Sequence, residues 1–412
     1  MMNRKMLWKT LIVLAVLLSC PNVRAKQEPK VVDVIILENG IFDSQNVLEA
    51  IGEYAESVES SLGFECRVVK LSSINNDPAS IDELIEGRHL AGTNIFILVG
   101  NDLKWPLSIG YEDNVPVASP ADGVLCDVDG ELPIKGDGLH QPITAFTSEV
   151  SVSYVFPPKI GLSTEAQVEL VVKTFEKFRQ NHEGNLSFRK EGVICGRFDP
   201  DPWAIFHEAV ESMTSASERL YGAENVVKKE LETSEVITYL SRAPAFFGVA
   251  GHGNTRAVET SSTMGFFSYL DLALARKGPQ LLEVFGCWSS GWKIQNESDP
   301  WGAKPGFFSE AAMFRNEYNI ALICGNPGPE TRPEYSFSGL VLSQVPHYPE
   351  AVIGELMIGQ KRRSTDWILY GDPLLRPDHT VIENQPNFVT SIWEFLQNLA
   401  AYLLEFLNSI FT

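Results

Sequence analysis

Two stretches decide how this chain folds: Ala245-Phe246-Phe247-Gly248-Val249-Ala250-Gly251-His252-Gly253 and Leu281-Leu282-Glu283-Val284-Phe285-Gly286-Cys287. Each is a short apolar run that stops at a glycine and a reactive side chain. Runs of this length, rich in Val, Leu, Phe and Ala and bounded by breakers, read as strands buried on both faces of a parallel sheet. Between them, Phe266 to Lys277 carries Leu270, Leu272, Leu274 and Ala275 and suits a crossover helix. A strand–helix–strand unit sets His252 and Cys287 side by side at the carboxyl ends of neighbouring strands. Open α/β sheets bind ligands and do chemistry at that edge. A lone Cys or His at a strand end is usually structural. The two together, each after an apolar run and each flanked by glycine, point to a nucleophile and its base.

Working outward, the chain alternates in the same way. Strands are predicted at Val31–Leu37, Cys66–Leu71, Asn94–Val99 and Val150–Phe156, with helices at Ser44–Ser61 and Ile81–Leu90. Thr164-Glu165-Ala166-Gln167 has capping-box form and opens a helix to about His182. The polar segment Asn181–Lys190 joins two halves. The second half repeats the rhythm through a strand at Gly192–Gly196, a helix at Trp203–Met213, a strand at Asn225–Lys229 and a helix at Ser234–Ser241. The two opening strands follow, then a helix at Phe308–Asn316, a strand at Ile320–Cys324, a helix at Ala351–Arg362 and a strand at Trp367–Tyr370. This pattern predicts an α/β fold, a parallel sheet with right-handed crossovers, and subdomains over 31–182 and 190–377. From Trp105 to Gly138 the periodicity dissolves into Gly, Pro and Asp. Asp127-Val128-Asp129-Gly130 spaces carboxylates near a glycine but lacks the terminal Glu of an EF-hand, so it reads as an acidic surface loop. No P-loop, GxGxxG or short-period repeat occurs.

Composition narrows the class. The 412 residues are 44% hydrophobic and 21% charged, ordinary for a globular protein. With 33 basic against 53 acidic residues the net charge is −20, which argues against nucleic acid or anionic lipid as the main partner. Arg4, Lys5 and Lys9 precede an apolar core at Leu11–Leu18, and Val23-Arg24-Ala25 has small residues at cleavage spacing. Residues 1–25 therefore read as an export signal, predicting a secreted, periplasmic or cell-surface protein. Leu17-Leu18-Ser19-Cys20 offers lipid anchoring at Cys20 as an alternative. Of six cysteines (Cys20, Cys66, Cys126, Cys195, Cys287 and Cys324), none has zinc-ligand spacing. Loss of Cys20 with the signal leaves an odd number in an exported protein, which favours a free thiol. The tail from Phe388 to Phe411 is apolar nearly all round, with a polar stripe at Ser391, Glu394, Asn398, Glu405 and Asn408. Charged glutamates cost roughly 2.5–3.5 kcal/mol each at a bilayer centre. Residues 388–411 thus read as a helix for a membrane surface or a partner, or one packed on its own domain, rather than a span.

The chemistry of the pair follows from thiol ionisation. A thiol is weakly ionised at neutral pH, so a catalytic cysteine needs a neighbouring His or a positive helix end. Gly251, Gly253 and Gly286 let backbone approach closely, and the amides of Gly253 and Cys287 can face a developing oxyanion. Gly286-Cys287-Trp288-Ser289-Ser290-Gly291 has its glycine one residue before the cysteine, not two, so it is no G-x-S-x-G-type elbow. Ser289 and Ser290 read as loop residues. His89, His140, His182, His207, His347 and His379 lie in polar or loop contexts with no partner spacing, and most read as solvated.

An apolar block ending in His-Gly followed by an apolar block ending in Cys resembles the caspase-like cysteine peptidases. The longer match is to the gingipain type. Gly251-His252-Gly253 looks like its histidine motif, Asn319 to Gly325 like the strand after its nucleophile, and Tyr370-Gly371-Asp372-Pro373-Leu374-Leu375 like the end of its catalytic domain. The resemblance covers roughly Val31 to Pro377. It implies a caspase-like parallel-sheet sandwich with helices on both faces, and a cysteine endopeptidase acting on peptide or protein substrates. In that reading Cys287 is the nucleophile, His252 the acid/base, and the Gly253 and Cys287 amides hold the oxyanion. It implies Asp199 as the acid that orients the histidine and Asp201 as a specificity residue facing a basic side chain. It requires no cofactor, and it makes Ca2+ a structural candidate with no assigned ligands.

The departures are specific. The loop Phe198-Asp199-Pro200-Asp201-Pro202 differs from the family pattern, and one extra residue separates Cys287 from Gly291. No long pro-segment is expected before the first strand, and the apolar tail stands where the family has an immunoglobulin-like domain. Two other functions share the same residues: an inactive caspase-like binding module and a surface transpeptidase.

Overall fold

A computed structural model describes residues 30–37, 44–71, 77–100, 106–112, 115–135, 141, 145–157, 162–198, 205–263, 265–275, 277–287, 289, 292–293, 307–325, 336–363 and 367–377. The signal with Cys20, Asp199, Asp201 and the 388–411 segment lie outside these residues.

Ten strands form the main sheet. In chain order they are β1 (Lys30–Ile36), β2 (Phe64–Lys70), β3 (Thr93–Val99), β4 (Ser151–Val155), β5 (Arg189–Gly196), β6 (Val226–Lys228), β7 (Pro244–Ala250), β8 (Leu281–Phe285), β9 (Ala321–Gly325) and β10 (Trp367–Gly371). Across the sheet they run β2-β1-β3-β4-β10-β9-β8-β7-β5-β6. Strands β7, β8, β9 and β10 are buried at every residue, as continuous apolar runs in a two-sided sheet should be.

The sheet is mostly parallel, as expected, with one antiparallel junction among the described pairs. Strands β1, β3, β4 and β10 run parallel to one another, as do β9, β8, β7, β5 and β6. The two blocks meet at an antiparallel pair, β9 with β10. Strand β10 comes last in the chain yet joins the N-terminal block, so both halves of the sequence share one sheet. The carboxyl ends of β7 and β8 therefore lie at the opposite edge from those of β1, β3 and β4.

Helices cover both faces. Helix α1 (Gln45–Leu62) packs on α3 (Thr164–His182) through Tyr54, Phe175 and Phe178, with Tyr54–Phe175 centroids 5.3 Å apart; α2 (Pro78–Leu90) leads into β3. On the C-terminal block, α4 (Ile205–Tyr221) covers one face, and a Cβ on Gly248 would lie 2.8 Å from Met213 Sδ. Phe247, the preceding residue of β7, points to the other face and meets Phe267 at 5.7 Å. The amphipathic spacing of Phe206, Ala209, Val210, Met213 and Tyr221 gives α4 its buried stripe.

Three elements differ from the sequence reading. Phe266–Ser268 is a strand, paired antiparallel with Ala257–Glu259, and the helix begins only at Tyr269. Ser268 and Asp271 form a reciprocal capping box that fixes this start and leaves the two preceding aromatics to the hairpin. Leu107–Glu112 and Val115–Pro120 pair as an antiparallel hairpin where a loop was expected. The helix expected over Ala351–Arg362 is Ile353–Met357, followed by a short strand, Lys361–Arg363. Gly359 lies between them at φ 80°, a left-handed conformation that ends a helix.

Candidate active site

Strands β7 and β8 pair in register from Phe246↔Leu281 to Ala250↔Phe285. One further bond, from the Gly251 N–H to the Phe285 carbonyl at 3.2 Å, closes the ladder. His252 and Cys287 each lie two residues beyond the last rung, on adjacent strands of one parallel pair.

Glycines bring the two strand exits into backbone contact. A Cβ on Gly253 would sit 3.4 Å from Gly286 Cα, and a Cβ on Gly286 would sit 2.6 Å from Val258 Cγ2. Beyond β7 the chain folds back as a tight hairpin. Glu259 donates its N–H to the His252 carbonyl at 2.8 Å, Gly253 pairs with Val258, and Asn254 Oδ1 accepts from the amides of Arg256 and Ala257. The histidine backbone is thus held on both sides, by the sheet before it and the hairpin after it.

The imidazole meets an aromatic wall. Phe206, at the start of α4 and 4% exposed, stands edge-on to His252 with ring centroids 4.8 Å apart. Phe285 backs Phe206 at 6.4 Å.

The Cys287 thiol is half-buried, and burial raises its pKa above the ordinary value. Hydrogen bonds from the backbone of Cys287 itself and of Gly253 pull it back down. The two amides expected to face an oxyanion are thus the two that reach the Cys287 sulfur. The remaining described cysteines are far less ionisable. Burial pushes Cys66 and Cys126 up to about 12, and it drives Cys195 and Cys324 higher still. None of the five described cysteines is in a disulfide.

Strand β5 leaves the sheet next to the histidine hairpin. Arg197 Nη1 lies 3.5 Å from Glu259 Oε2, and Glu230 accepts from the Phe198 N–H at 2.9 Å. Glu230 also accepts from the Ser262 amide and hydroxyl, and against the cost of burial these donors hold its carboxyl below the usual range. Asp199 and Asp201 follow this exit directly in sequence, outside the described residues. Phe206, Glu230, Glu259 and Ser289 escape a sequence reading. Their residue types are those of any core stripe or polar loop, and only the fold brings them to this edge.

Two expectations about other residues change. His182 is not solvated: its side chain is 3% exposed, and Nε2 lies 2.7 Å from Asp372 Oδ2, whose other oxygen accepts from Tyr54 at 2.9 Å. The acidic loop is not wholly a surface. Asp127, Asp129 and Glu131 bring one carboxylate oxygen each within 4.8 Å of one another, and Asp127 is only 3% exposed. Its Oδ1 is buried without a hydrogen-bond partner among the described residues, and Glu149 is close enough to add its charge. Such oxygens suit a hard cation.

Among solved structures, the arginine-specific cysteine proteinase gingipain R aligns over most of the chain. It aligns with a TM-score of 0.51 over 88% of this chain and 81% of its own, at 12% identity. The fold is that of gingipain R. At this identity the likeness is one of fold, and the large, mostly parallel sheet flanked by helices is what the two share. No family model matches the sequence, and no curated protein does.

Proposed function

We propose that this chain is an exported cysteine endopeptidase working through a Cys287–His252 dyad. The observation that carries this reading is the register: both residues lie two positions past the same rung of β7 and β8, in a fold shared with a cysteine proteinase. Cys287 passes its proton to His252, and the sulfur attacks the scissile carbonyl. The C–N bond breaks as His252 protonates the leaving amine, and a thioester remains. Water, deprotonated by His252, then cleaves the thioester and restores the thiol. The amides of Gly253 and Cys287 hold the oxyanion in both steps, where a single such donor is worth roughly 10²–10³ in kcat. Asp199 orients the imidazole, and Asp201 faces a basic side chain of the substrate. Asp127, Asp129 and Glu131 hold a structural calcium ion. The 388–411 segment meets a membrane surface or a partner.

Wild type, Cys287→Ala and His252→Ala are compared on a mixed peptide library. Both variants should lose at least 10³-fold in turnover on the scale of dyad removal. Equal cleavage by all three ends the reading. Asp201→Asn should lose any preference for Arg or Lys while keeping residual turnover.

One observation favours a second reading. Burial raises the Cys287 pKa, as it would in an inactive module that binds through its cleft. A thiol that fails to react with an electrophilic peptide probe selects that module. Surface transpeptidation forms the same thioester and is recognised by an amine-ligated product.

A further inference from the structure

The β8–β9 pairing ends at Val284↔Cys324, while β9 continues one rung further against β10, at Gly325↔Trp367. The buried carbonyl of Gly325 is thus left at the edge where β8 turns away to present Cys287. A side chain from the turn fills the gap. The Ser289 hydroxyl donates to the Gly325 carbonyl, with the Val284 carbonyl 3.1 Å away. The same hydroxyl meets the Cys324 thiol. Ser289 is 1% exposed, and its N–H donates to the Gly286 carbonyl at 3.1 Å, closing a four-residue turn with Cys287 at its second position.

We propose that Ser289 is a positioning residue for the nucleophile, locking the Cys287 turn to β9 from the side opposite the Gly253 amide. This rests on Cys287 being the nucleophile. A chain leaving a sheet loses its ladder bonds at the residue whose placement matters most. A buried carbonyl without a donor is costly, so the turn that satisfies it is held in one conformation. That conformation keeps the sulfur on the amides of Cys287 and Gly253. Ser289 acts on the Cys287 sulfur through the turn.

The test reads the thiol directly. Alkylation of Cys287 by iodoacetamide is followed against pH by mass spectrometry of its peptide, in wild type, Ser289→Ala and Ser289→Thr. In Ser289→Ala the amide bonds to sulfur loosen, and the alkylation midpoint should rise by about one pH unit, the size of a lost hydrogen-bond contribution. Turnover should fall roughly tenfold to a hundredfold with KM unchanged, as for an ångström-scale misplacement. Ser289→Thr keeps the hydroxyl and should stay near wild type in midpoint. Ser289→Cys, which fills the same space with a weak donor, is measured alongside in case the alanine variant does not fold; fragmentation separates its two labelled positions. An unmoved midpoint in a folded Ser289→Ala or Ser289→Cys protein overturns the proposal, whether or not peptides are cleaved. A moved midpoint in a protein that cleaves no peptide keeps the positioning role and removes the peptidase reading instead.

Discussion

The Phe206 ring stands edge-on to the His252 imidazole, 4.8 Å between centroids at an interplanar angle of 69°. Edge-to-face packing of this kind fixes the plane of a ring while leaving its nitrogens accessible. If that plane is what lets His252 serve both sulfur and leaving amine, a smaller wall costs turnover rather than binding. Phe206→Leu should fold, lose roughly tenfold in kcat and leave KM within a factor of about two. Steady-state kinetics on the best library peptide checks this, and a change confined to KM would place Phe206 in substrate binding instead.

Gly286 faces a tighter constraint. A methyl there would lie 2.6 Å from Val258 Cγ2 and 3.1 Å from Cγ1, closer than atoms tolerate. Gly286→Ala must push the histidine hairpin away from the Cys287 turn, and we expect a loss of at least tenfold in kcat at roughly 1–3 kcal/mol of stability. Val258→Ala removes the obstructing methyls. The double variant should recover most of the lost activity; a double variant as slow as Gly286→Ala alone shows that the glycine matters for another reason.

Glu283 predicts a pH dependence of stability. It sits fully buried in β8, bonded to the amide and hydroxyl of Ser338, and burial raises its carboxyl from an ordinary 4.5 to about 7. The native state therefore keeps a proton that the unfolded chain gives up between those values. Fewer protons are bound on unfolding, so stability falls as pH rises from about 4.5 to about 7 and is level above that. The maximum effect is about 3 kcal/mol. Denaturant melts across this range should show the slope in wild type and a flatter profile in Glu283→Gln; parallel profiles reject the assignment.

Calcium should act through Asp127. Burial, the neighbouring Asp129 and the charge of Glu149 hold its carboxyl at about 6, although the Leu132 amide works against them. A divalent cation relieves that repulsion. At a hundred times its Kd, bound calcium adds about 2.7 kcal/mol. Thermal melts of wild type in calcium and in chelator should differ by several degrees, and Asp127→Asn should remove the difference. Identical wild-type melts leave the loop as an acidic turn.

Much of this was legible in the chain because it depends on local pattern. The apolar runs ending at Gly251 and Gly286 fall at β7 and β8, and fully buried strands are the one environment such runs suit. The capping box at Ser268 and Asp271 was equally local, and it marks where the Phe266–Lys277 reading misplaced a helix start. By contrast, nothing near Trp367–Tyr370 says that β10 pairs antiparallel with β9 and joins the other block. That choice is made by partners far away in sequence, Ala321 and Ser153 among them.

His252 and Cys287 were marked by sequence alone, since a reactive residue after an apolar run and a glycine is a local signature. Their surroundings were not. Phe206 looks like any residue of an amphipathic stripe, Ser289 like any loop serine, and His182 like a solvated helix end. Each acquires its place from burial against segments dozens of residues away: Phe206 on His252, Ser289 on Gly325, His182 on Asp372. Backbone pattern sets which residues end the strands; only the packing of distant segments decides what those ends touch.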